Sequence, residues 1–249
     1  MKVLKVLAMT AALSASGLVM ADSRVINSWN SFETNQLIPT GVRAEVGTTG
    51  YGGALLWTAN PYVGLALGYN GGDISWRDDV SVNGTKYDMD MKNNNTYLNA
   101  EIRPWGASQN MWTQGLYMAA GVAYLDNDYD LAKRIGNGNT LSIDGKNYQL
   151  TTAGREGGVR GQMNYDNKIA PYVGLGFAPK FTKNWGAFTE IGAYYTGNPD
   201  VNLTQYNLSP VVGNPTSAQD AVDREAHKIE NQNKYAWMPV AKVGVSYHW

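Results

Sequence analysis

Apolar and polar residues alternate along the last stretch of the chain, Trp237 to Trp249. A period of two predicts a β-strand, and one face of this strand carries Pro239, Ala241, Val243, Val245, Tyr247 and Trp249. The other face carries Val240, Lys242, Gly244, Ser246 and His248. An apolar face that ends in aromatic rings, opposite a polar face, fits a strand of an outer-membrane β-barrel. A soluble β-sandwich shows the same alternation, so this strand alone leaves both folds open.

The beginning of the chain has the three parts of a secretory signal peptide. Lys2 and Lys5 form the charged start, Val6 to Met20 is an apolar run diluted by small residues, and a small-residue cleavage site follows. A buried helix or a membrane anchor is the alternative, but the run is shorter than the roughly 20 apolar residues that span a bilayer. We predict an exported protein with the signal peptide at 1–21 and a single barrel domain at 22–249.

Composition favours the barrel. The chain has 28 Gly, 16 Tyr and 8 Trp but only 4 Phe, and Tyr and Trp are the residues that settle at membrane–water interfaces. It has no Cys, which excludes disulfides and thiol catalysis. Without Lys2 and Lys5, 18 of the 20 basic residues remain against 21 acidic ones. The mature chain therefore lacks the basic surface that nucleic-acid binding requires.

Eight segments have the length and the alternation of strands. They are Gly41–Thr48, Tyr51–Trp57, Tyr62–Tyr69, Asn95–Pro104, Gly115–Leu125, Ile169–Phe177, Trp185–Tyr195 and Trp237–Trp249. The first two predicted strands are joined by a tight turn. The later connections alternate between short turns and long loops, as in barrels with periplasmic turns and extracellular loops. We predict an all-β fold, an eight-stranded antiparallel transmembrane β-barrel with long extracellular loops and both termini on the periplasmic side.

The long connections are polar and contain signals of local structure. They span Asp73–Asn93, Asp126–Lys168 and Asn198–Lys234. Asn83-Gly84 and Asp144-Gly145 are dipeptides typical of tight hairpin turns. Ser217 is placed to cap a helix from about Ala218 to Glu230, and the few apolar residues of this segment predict a surface helix.

Once the strand faces are assigned, six charged residues point into the barrel. They are Arg43, Glu45, Glu101, Arg103, Glu190 and Lys242. A lone charge inside an eight-stranded lumen is costly, so we expect these three cations and three anions to pair as a hydrogen-bonded ladder. Side chains fill most of a lumen of this size. Two interpretations stay open: a plugged barrel with structural charges, and a gated polar path for a charged solute.

The first long connection is rich in aspartate. Its carboxylates are Asp73, Asp78, Asp79, Asp88 and Asp90. An acidic mouth at the extracellular end would raise the local concentration of cationic solutes. The alternative is an ordinary solvated loop.

Enzyme chemistry has little support in the sequence. Hydrolases and acyltransferases of the outer membrane generally need a His beside a Ser or an acid. The chain has two histidines, His227 in a charged loop and His248 at the end of the last strand. It has no Gly-x-Ser-x-Gly motif, no phosphate-binding glycine loop and no metal-ligand spacing. We predict no catalytic residue, no cofactor and no metal.

Specific stretches are similar to one family of outer-membrane proteins. They are Gln36–Pro39, Gly41–Trp57, Asn60–Trp76, Tyr97–Gly106, Leu131–Gly136, Asn214–Asp223 and the closing strand. Along its length the chain resembles the CarO family, the carbapenem-associated outer-membrane proteins that are also described as ornithine uptake porins. The resemblance implies an eight-stranded barrel with a sizeable extracellular part and influx of small amino acids, basic ones especially. It also implies that loss of the protein accompanies reduced carbapenem susceptibility.

The expected function is thus a passive channel for small zwitterionic and cationic solutes, with carbapenems able to use the same route. Its expected partners are outer-membrane lipids and these solutes, and the expected state is a monomer. The alternative is a closed barrel whose loops bind a host surface or an envelope component. A lipid-modifying enzyme of the outer membrane is a third class, which the lack of a His–Ser pair disfavours.

Overall fold

The computed structural model describes residues 38–82, 85–136 and 138–249; the side chains of residues 76–82 and 85–86 are outside that description. The predicted signal peptide at 1–21 and the predicted turn at Asn83-Gly84 both lie outside the described residues.

Fourteen strands and two α-helices follow one another along the described residues. The strands are β1 (Gly41–Gly47), β2 (Gly50–Asn60), β3 (Val63–Val82), β4 (Thr85–Ile102), β5 (Leu116–Leu125), β6 (Asp128–Ile135), β7 (Leu141–Ile143), β8 (Lys146–Leu150), β9 (Gly157–Asn164), β10 (Ile169–Phe177), β11 (Trp185–Tyr195), β12 (Asp200–Tyr206), β13 (Leu208–Pro210) and β14 (Trp237–His248). The helices are α1 (Met111–Gln114) and α2 (Ala218–Glu230), and a short 3-10 helix, Asn233–Ala236, precedes β14. No helix within the described ranges is long and apolar enough to cross a membrane.

Eight of these strands close into a barrel. Neighbours pair antiparallel in the order β1, β2, β3, β4, β5, β10, β11 and β14, and β14 pairs back with β1. Two of the predicted strands, Ile169–Phe177 and Trp185–Tyr195, have the same bounds in the structure. The eight-stranded antiparallel barrel that the sequence predicts is confirmed.

The period of two decides which side chains face the lumen. On β14, Val243 and Val245 are about half exposed on the outer face, whereas Val240 and Lys242 are buried inside. The same alternation around the barrel leaves an outer band of exposed apolar residues that includes Leu65, Leu67, Leu98, Ile102, Met118, Val122, Val173, Leu175 and Ile191. In an outer membrane such a band contacts lipid.

The hairpin of β3 and β4 is longer than the sequence predicts. Residues 73–93, expected to be a polar connection, continue both strands beyond the barrel. In this segment Tyr87 and Met91 are buried, while Asp88 and Asp90 are exposed. The aspartates that suggested a loop therefore form one face of a strand whose other face is apolar.

Beyond the barrel, the outer part of this hairpin belongs to a folded unit that we call the cap. Its main sheet, the distal sheet, runs in the order β3, β4, β6, β9 and β12. One face is covered by α2 and by a small sheet of β7, β8 and β13. The buried core between these layers includes Tyr87, Met91, Leu131, Ile143, Tyr148, Val159, Leu203, Val222 and Ile229. Since long loops of outer-membrane barrels face outward from the cell, the cap is extracellular.

Helix α2 begins and ends where the sequence predicts. The Ser217 hydroxyl accepts a 3.1 Å hydrogen bond from the Asp220 amide, so Ser217 is the N-cap. The helix lies at the surface, as expected, with Asp223, Arg224, His227 and Lys228 exposed, while its other side packs into the core of the cap. Its buried residues are Ala218, Ala221, Val222, Glu225, Ala226 and Ile229. Three of them are alanines, which contribute little to a hydrophobic pattern yet allow the helix to lie close to β12.

Candidate functional site

The structure places all six charged residues of the predicted ladder inside the barrel. Five are at most 4% exposed: Arg43, Glu45, Glu101, Glu190 and Lys242. Arg103 lies at the turn end of the lumen, with 21% of its side chain exposed. They come from β1, β4, β11 and β14 and from the residue that follows β4, so barrel closure brings them together from distant parts of the sequence.

Arg43 joins two carboxylates across the lumen. Its Nη1 donates to Glu101 Oε1 at 2.8 Å and its Nε donates to Glu45 Oε2 at 3.2 Å. Glu101 also accepts a hydrogen bond from the Arg103 guanidinium. The Arg43 guanidinium lies 4.2 Å from the centre of the Phe188 ring, a cation–π contact. This part of the lumen is therefore closed by a buried network of two arginines and two glutamates.

Glu190 and Lys242 form a second ion pair inside the barrel. Lys242 Nζ lies 3.2 Å from Glu190 Oε1 and 4.0 Å from Glu45 Oε1, so Glu45 stands between the two parts of the ladder. Tyr117 donates to Glu190 Oε2 and Tyr172 donates to Glu190 Oε1, each at 2.8 Å. The carboxylate is thus held by hydroxyl groups from two neighbouring strands as well as by the ammonium group.

The lumen tyrosines are site residues that the sequence analysis missed. Tyr97 donates to Glu45 Oε1 at 2.7 Å, as Tyr117 and Tyr172 do to Glu190. Each ring uses space that a glycine leaves: a Cβ at Gly68 would be 2.2 Å from the Tyr97 ring. Inward glycines opposite inward tyrosines are the sequence signal of these contacts. They can be recognised only when the register of the paired strands is known.

The inward face of β4 also carries buried amide groups. Asn93, Asn95 and Asn99 are at most 5% exposed, and both side-chain polar atoms of each have no hydrogen-bond partner among the described residues. Buried amides are almost always hydrogen-bonded, to protein or to water. These three alternate with Tyr97 and lead towards Glu101, so β4 offers a polar row along the lumen that can form hydrogen bonds with water or with a polar solute.

The cap is in contact with the extracellular end of the barrel. The Tyr129 hydroxyl on β6 lies 3.4 Å from the Met238 sulfur at the start of β14, and Tyr165 donates to the Tyr235 carbonyl at 2.7 Å. Burial raises the pKa of Tyr129 to about 12, so this hydroxyl stays protonated at neutral pH. These contacts tie the cap to the start of β14 and to the residues just before it.

The aspartates of the predicted acidic mouth lie on the outer part of the β3–β4 hairpin. Asp73, Asp88 and Asp90 are exposed on the face of β3 and β4 opposite the buried row, because they occupy the alternate positions. The side chains of Asp78 and Asp79 lie outside the described residues. Asp73 lines an open cavity of about 480 Å³. The other residues that line this cavity include Tyr51, Tyr69, Lys92, Asp126 and Asp128.

The two histidines lie in different parts of the molecule. His227 is on α2 in the cap, where its Nδ1 is 2.9 Å from Glu230 Oε2. His248 ends β14 at the opposite end of the barrel. The lumen instead offers fixed carboxylates, guanidinium groups, an ammonium group and amides, which can exchange ionic and hydrogen-bond partners with a polar solute.

Comparison with solved structures identifies the family of this fold. No protein-family model matches the chain, and no curated protein does. The crystal structure of Acinetobacter baumannii CarO is 61% identical, with a TM-score of 0.73, and the match covers 86% of this chain and all of that one. The structure of Acinetobacter baumannii CarO2 is 60% identical, also with a TM-score of 0.73, over 85% of this chain and 98% of that one. The chain is a β-barrel of the bacterial outer membrane and belongs to the CarO family.

Proposed function

We propose that the protein is a passive porin for small zwitterionic and cationic solutes, with basic amino acids such as ornithine preferred. We also propose, on the family resemblance alone, that a carbapenem can use the same route. The observation that supports the porin is the combination inside one lumen of a buried ion ladder with amides that lack protein partners. Such amides can donate hydrogen bonds to a polar solute and accept them from it, which an apolar core cannot do.

The arrangement of the ladder favours cations. Glu190 is paired with Lys242, so a solute ammonium group can replace the lysine and keep the carboxylate paired without moving Arg43. An anionic solute must instead separate Arg43 from two carboxylates and from the Phe188 ring. Breaking a buried pair without replacement is strongly unfavourable. Selectivity therefore arises from lumen size and from charged side chains within it.

Passage requires side chains to move. The ladder and the tyrosines occupy the lumen, and the cap contacts the start of β14 at its outer end. We propose that the solute follows the polar row of β4, from Asn93 past Asn95 and Asn99 to Glu101 and out past Arg103. Transport by this route is slow and saturable, unlike diffusion through a wide water-filled pore.

The test is uptake by liposomes that contain the purified protein. Ornithine and arginine should enter faster than glutamate, and the preference should shrink in Glu190→Gln. The matched control is Asp88→Asn, which removes a carboxylate from the exposed face of the distal sheet and should leave the preference unchanged. Uptake no faster than in empty liposomes, or equal rates for ornithine and glutamate, would refute the proposal. Uptake of a carbapenem by the same liposomes tests the proposal that carbapenems use this route. Carbapenem uptake no faster than in empty liposomes would refute it.

A second candidate function is binding of a partner by the cap. The cap has its own buried core, and the exposed face of its distal sheet contains a groove of about 490 Å³. The groove is lined by polar side chains that include Asp130, Arg160, Gln162, Asn202 and Thr204. Absence of uptake in the liposome test would favour this function over the porin.

A further inference from the structure

Lys242 occupies an enclosed box inside the barrel. Its Nζ faces two carboxylates, Glu190 at 3.2 Å and Glu45 at 4.0 Å. It also lies 4.2 Å from the centre of the Tyr97 ring and 5.8 Å from that of Tyr172. Carboxylates together with the faces of aromatic rings are the groups that bind an ammonium ion. The Lys242 side chain is 1% exposed, so this ammonium group is held away from bulk water.

The carboxylate walls of the box are held without Lys242. Glu190 accepts hydrogen bonds from Tyr117 and Tyr172, one on each oxygen. Glu45 accepts hydrogen bonds at 2.7 Å from both Tyr97 and Asn70, and Arg43 bonds its other oxygen. Removing the Lys242 ammonium therefore leaves a pre-organised anionic site.

Lys242 itself is the most weakly held member of this group. Its Nζ lies within ion-pair distance of Glu190, but it makes no contact with hydrogen-bond geometry among the described residues. An ammonium group has three N–H donors to satisfy. Arg43, by contrast, forms hydrogen bonds with Glu45, Glu101 and Tyr97. The cation that a solute can displace most easily is therefore that of Lys242.

We infer that the box is a binding site for primary alkylammonium groups and that Lys242 is its tethered occupant. In the resting barrel the lysine fills the site, and the side-chain ammonium of a basic amino acid takes its place during passage. This role in transport rests on the proposed porin function, whereas the affinity of the box for a primary ammonium group does not. Hydrogen-bond acceptors on two sides make the site prefer an N–H donor over a quaternary ion.

Lys242→Ala provides the test, because n-propylammonium has the atoms that this substitution removes. The variant should melt at a lower temperature than the unchanged protein. Addition of n-propylammonium should raise its melting temperature by roughly 5 °C at concentrations well above the dissociation constant. Tetramethylammonium and propan-1-ol, at equal concentration and ionic strength, should not. Lys92→Ala, which removes an exposed lysine of β4, is the matched control and should show no specific rise.

Equal shifts with n-propylammonium and tetramethylammonium, or equal shifts in Lys242→Ala and Lys92→Ala, would overturn the inference. If Lys242→Ala does not fold, the double variant Lys242→Ala/Glu45→Gln replaces it in the test. This variant removes one of the two negative charges that face the missing lysine and keeps the other, Glu190. Its yield on refolding should increase with n-propylammonium and not with propan-1-ol. If n-propylammonium stabilises Lys242→Ala but the protein transports no solute, the ammonium site is supported and the porin function is refuted. If the protein transports solutes but n-propylammonium does not stabilise the variant, the porin function is supported and the ammonium site is refuted.

Discussion

The guanidinium group of Arg43 on β1 donates a 2.8 Å hydrogen bond to Glu101 on β4, and both side chains are almost completely buried. Two strands, β2 and β3, separate β1 from β4 around the barrel, so the contact crosses the lumen. It ties two walls of the barrel together across the lumen. The stability of the barrel and the passage of solute are therefore linked through the same ion pairs.

Glu101→Gln should destabilise the barrel. It leaves Arg43 and Arg103 without their shared carboxylate, and removal of one partner from a buried ion pair costs about 3–5 kcal/mol. Urea unfolding of the protein in lipid vesicles measures this loss. Asp88→Asn is the control, because Asp88 is exposed on the distal sheet. Equal free energies of unfolding for the two variants would show that Glu101 does not hold the ladder together.

Gly176→Ala should displace the Tyr117 ring. A Cβ at Gly176 would be 2.0 Å from the ring of Tyr117, which is its partner on the neighbouring strand. Adding one methyl group to a packed interior costs about 1–3 kcal/mol, and here it also weakens the hydrogen bond to Glu190. Gly136→Ala is the control, because nothing lies within 4 Å of the added carbon. A Gly176→Ala variant as stable as the control would mean that Tyr117 is not confined.

The turn of β7 and β8 should make part of the cap sensitive to pH. Hydrogen bonds from Lys228 and then Arg224 of α2 hold the pKa of Asp144 below its ordinary value of 3.8. A carboxyl group with a lowered folded-state pKa stabilises the fold above its unfolded pKa, and this contribution is lost as the pH falls through the folded-state pKa. Asp144→Asn should therefore loosen α2 at pH 7 and have little effect once the pH is well below 3.8.

Hydrogen exchange of the α2 amides at pH 7 and in acid measures this effect, with rates corrected for the pH dependence of the chemistry. Asn tolerates the positive φ of 51° at position 144, so the substitution keeps the turn. Asp200→Asn, at an exposed position of β12, is the control. The same protection of α2 in Asp144→Asn and in the unchanged protein at pH 7 would contradict the prediction.

The barrel could be predicted because its pattern is local. Alternation on β14 assigns Lys242 to the lumen and Val243 to lipid without knowledge of the neighbouring strands. The six inward charges follow from the same rule applied to each strand. The cap could not be predicted in this way, since β4 pairs with β6, and β6 with β9, through contacts between segments far apart in the sequence. The direction of Asp88 and Asp90 depends on those pairings.

The pairing inside the lumen was only partly accessible from the sequence. Charge balance predicts that Glu190 has a cationic partner, but the register of β11 and β14 selects Lys242. The role of Tyr117 depends on its position opposite Gly176, which requires the register of β5 and β10. A period of two shows whether a side chain faces the lumen or the lipid, but it does not show which residue of the next strand lies beside it.

The most direct test of the proposed route uses the absence of cysteine from the chain. Asn95→Cys places one thiol on the polar row of β4, and Asp88→Cys places one on the exposed face of the distal sheet. Ornithine uptake is measured in liposomes before and after reaction with aminoethyl methanethiosulfonate, and mass spectrometry reports the extent of reaction. We predict that modification of Asn95→Cys reduces uptake to that of empty liposomes, while modified Asp88→Cys keeps its uptake. Unchanged ornithine uptake through modified Asn95→Cys, or uptake while that thiol stays unreactive, would contradict a route through the lumen.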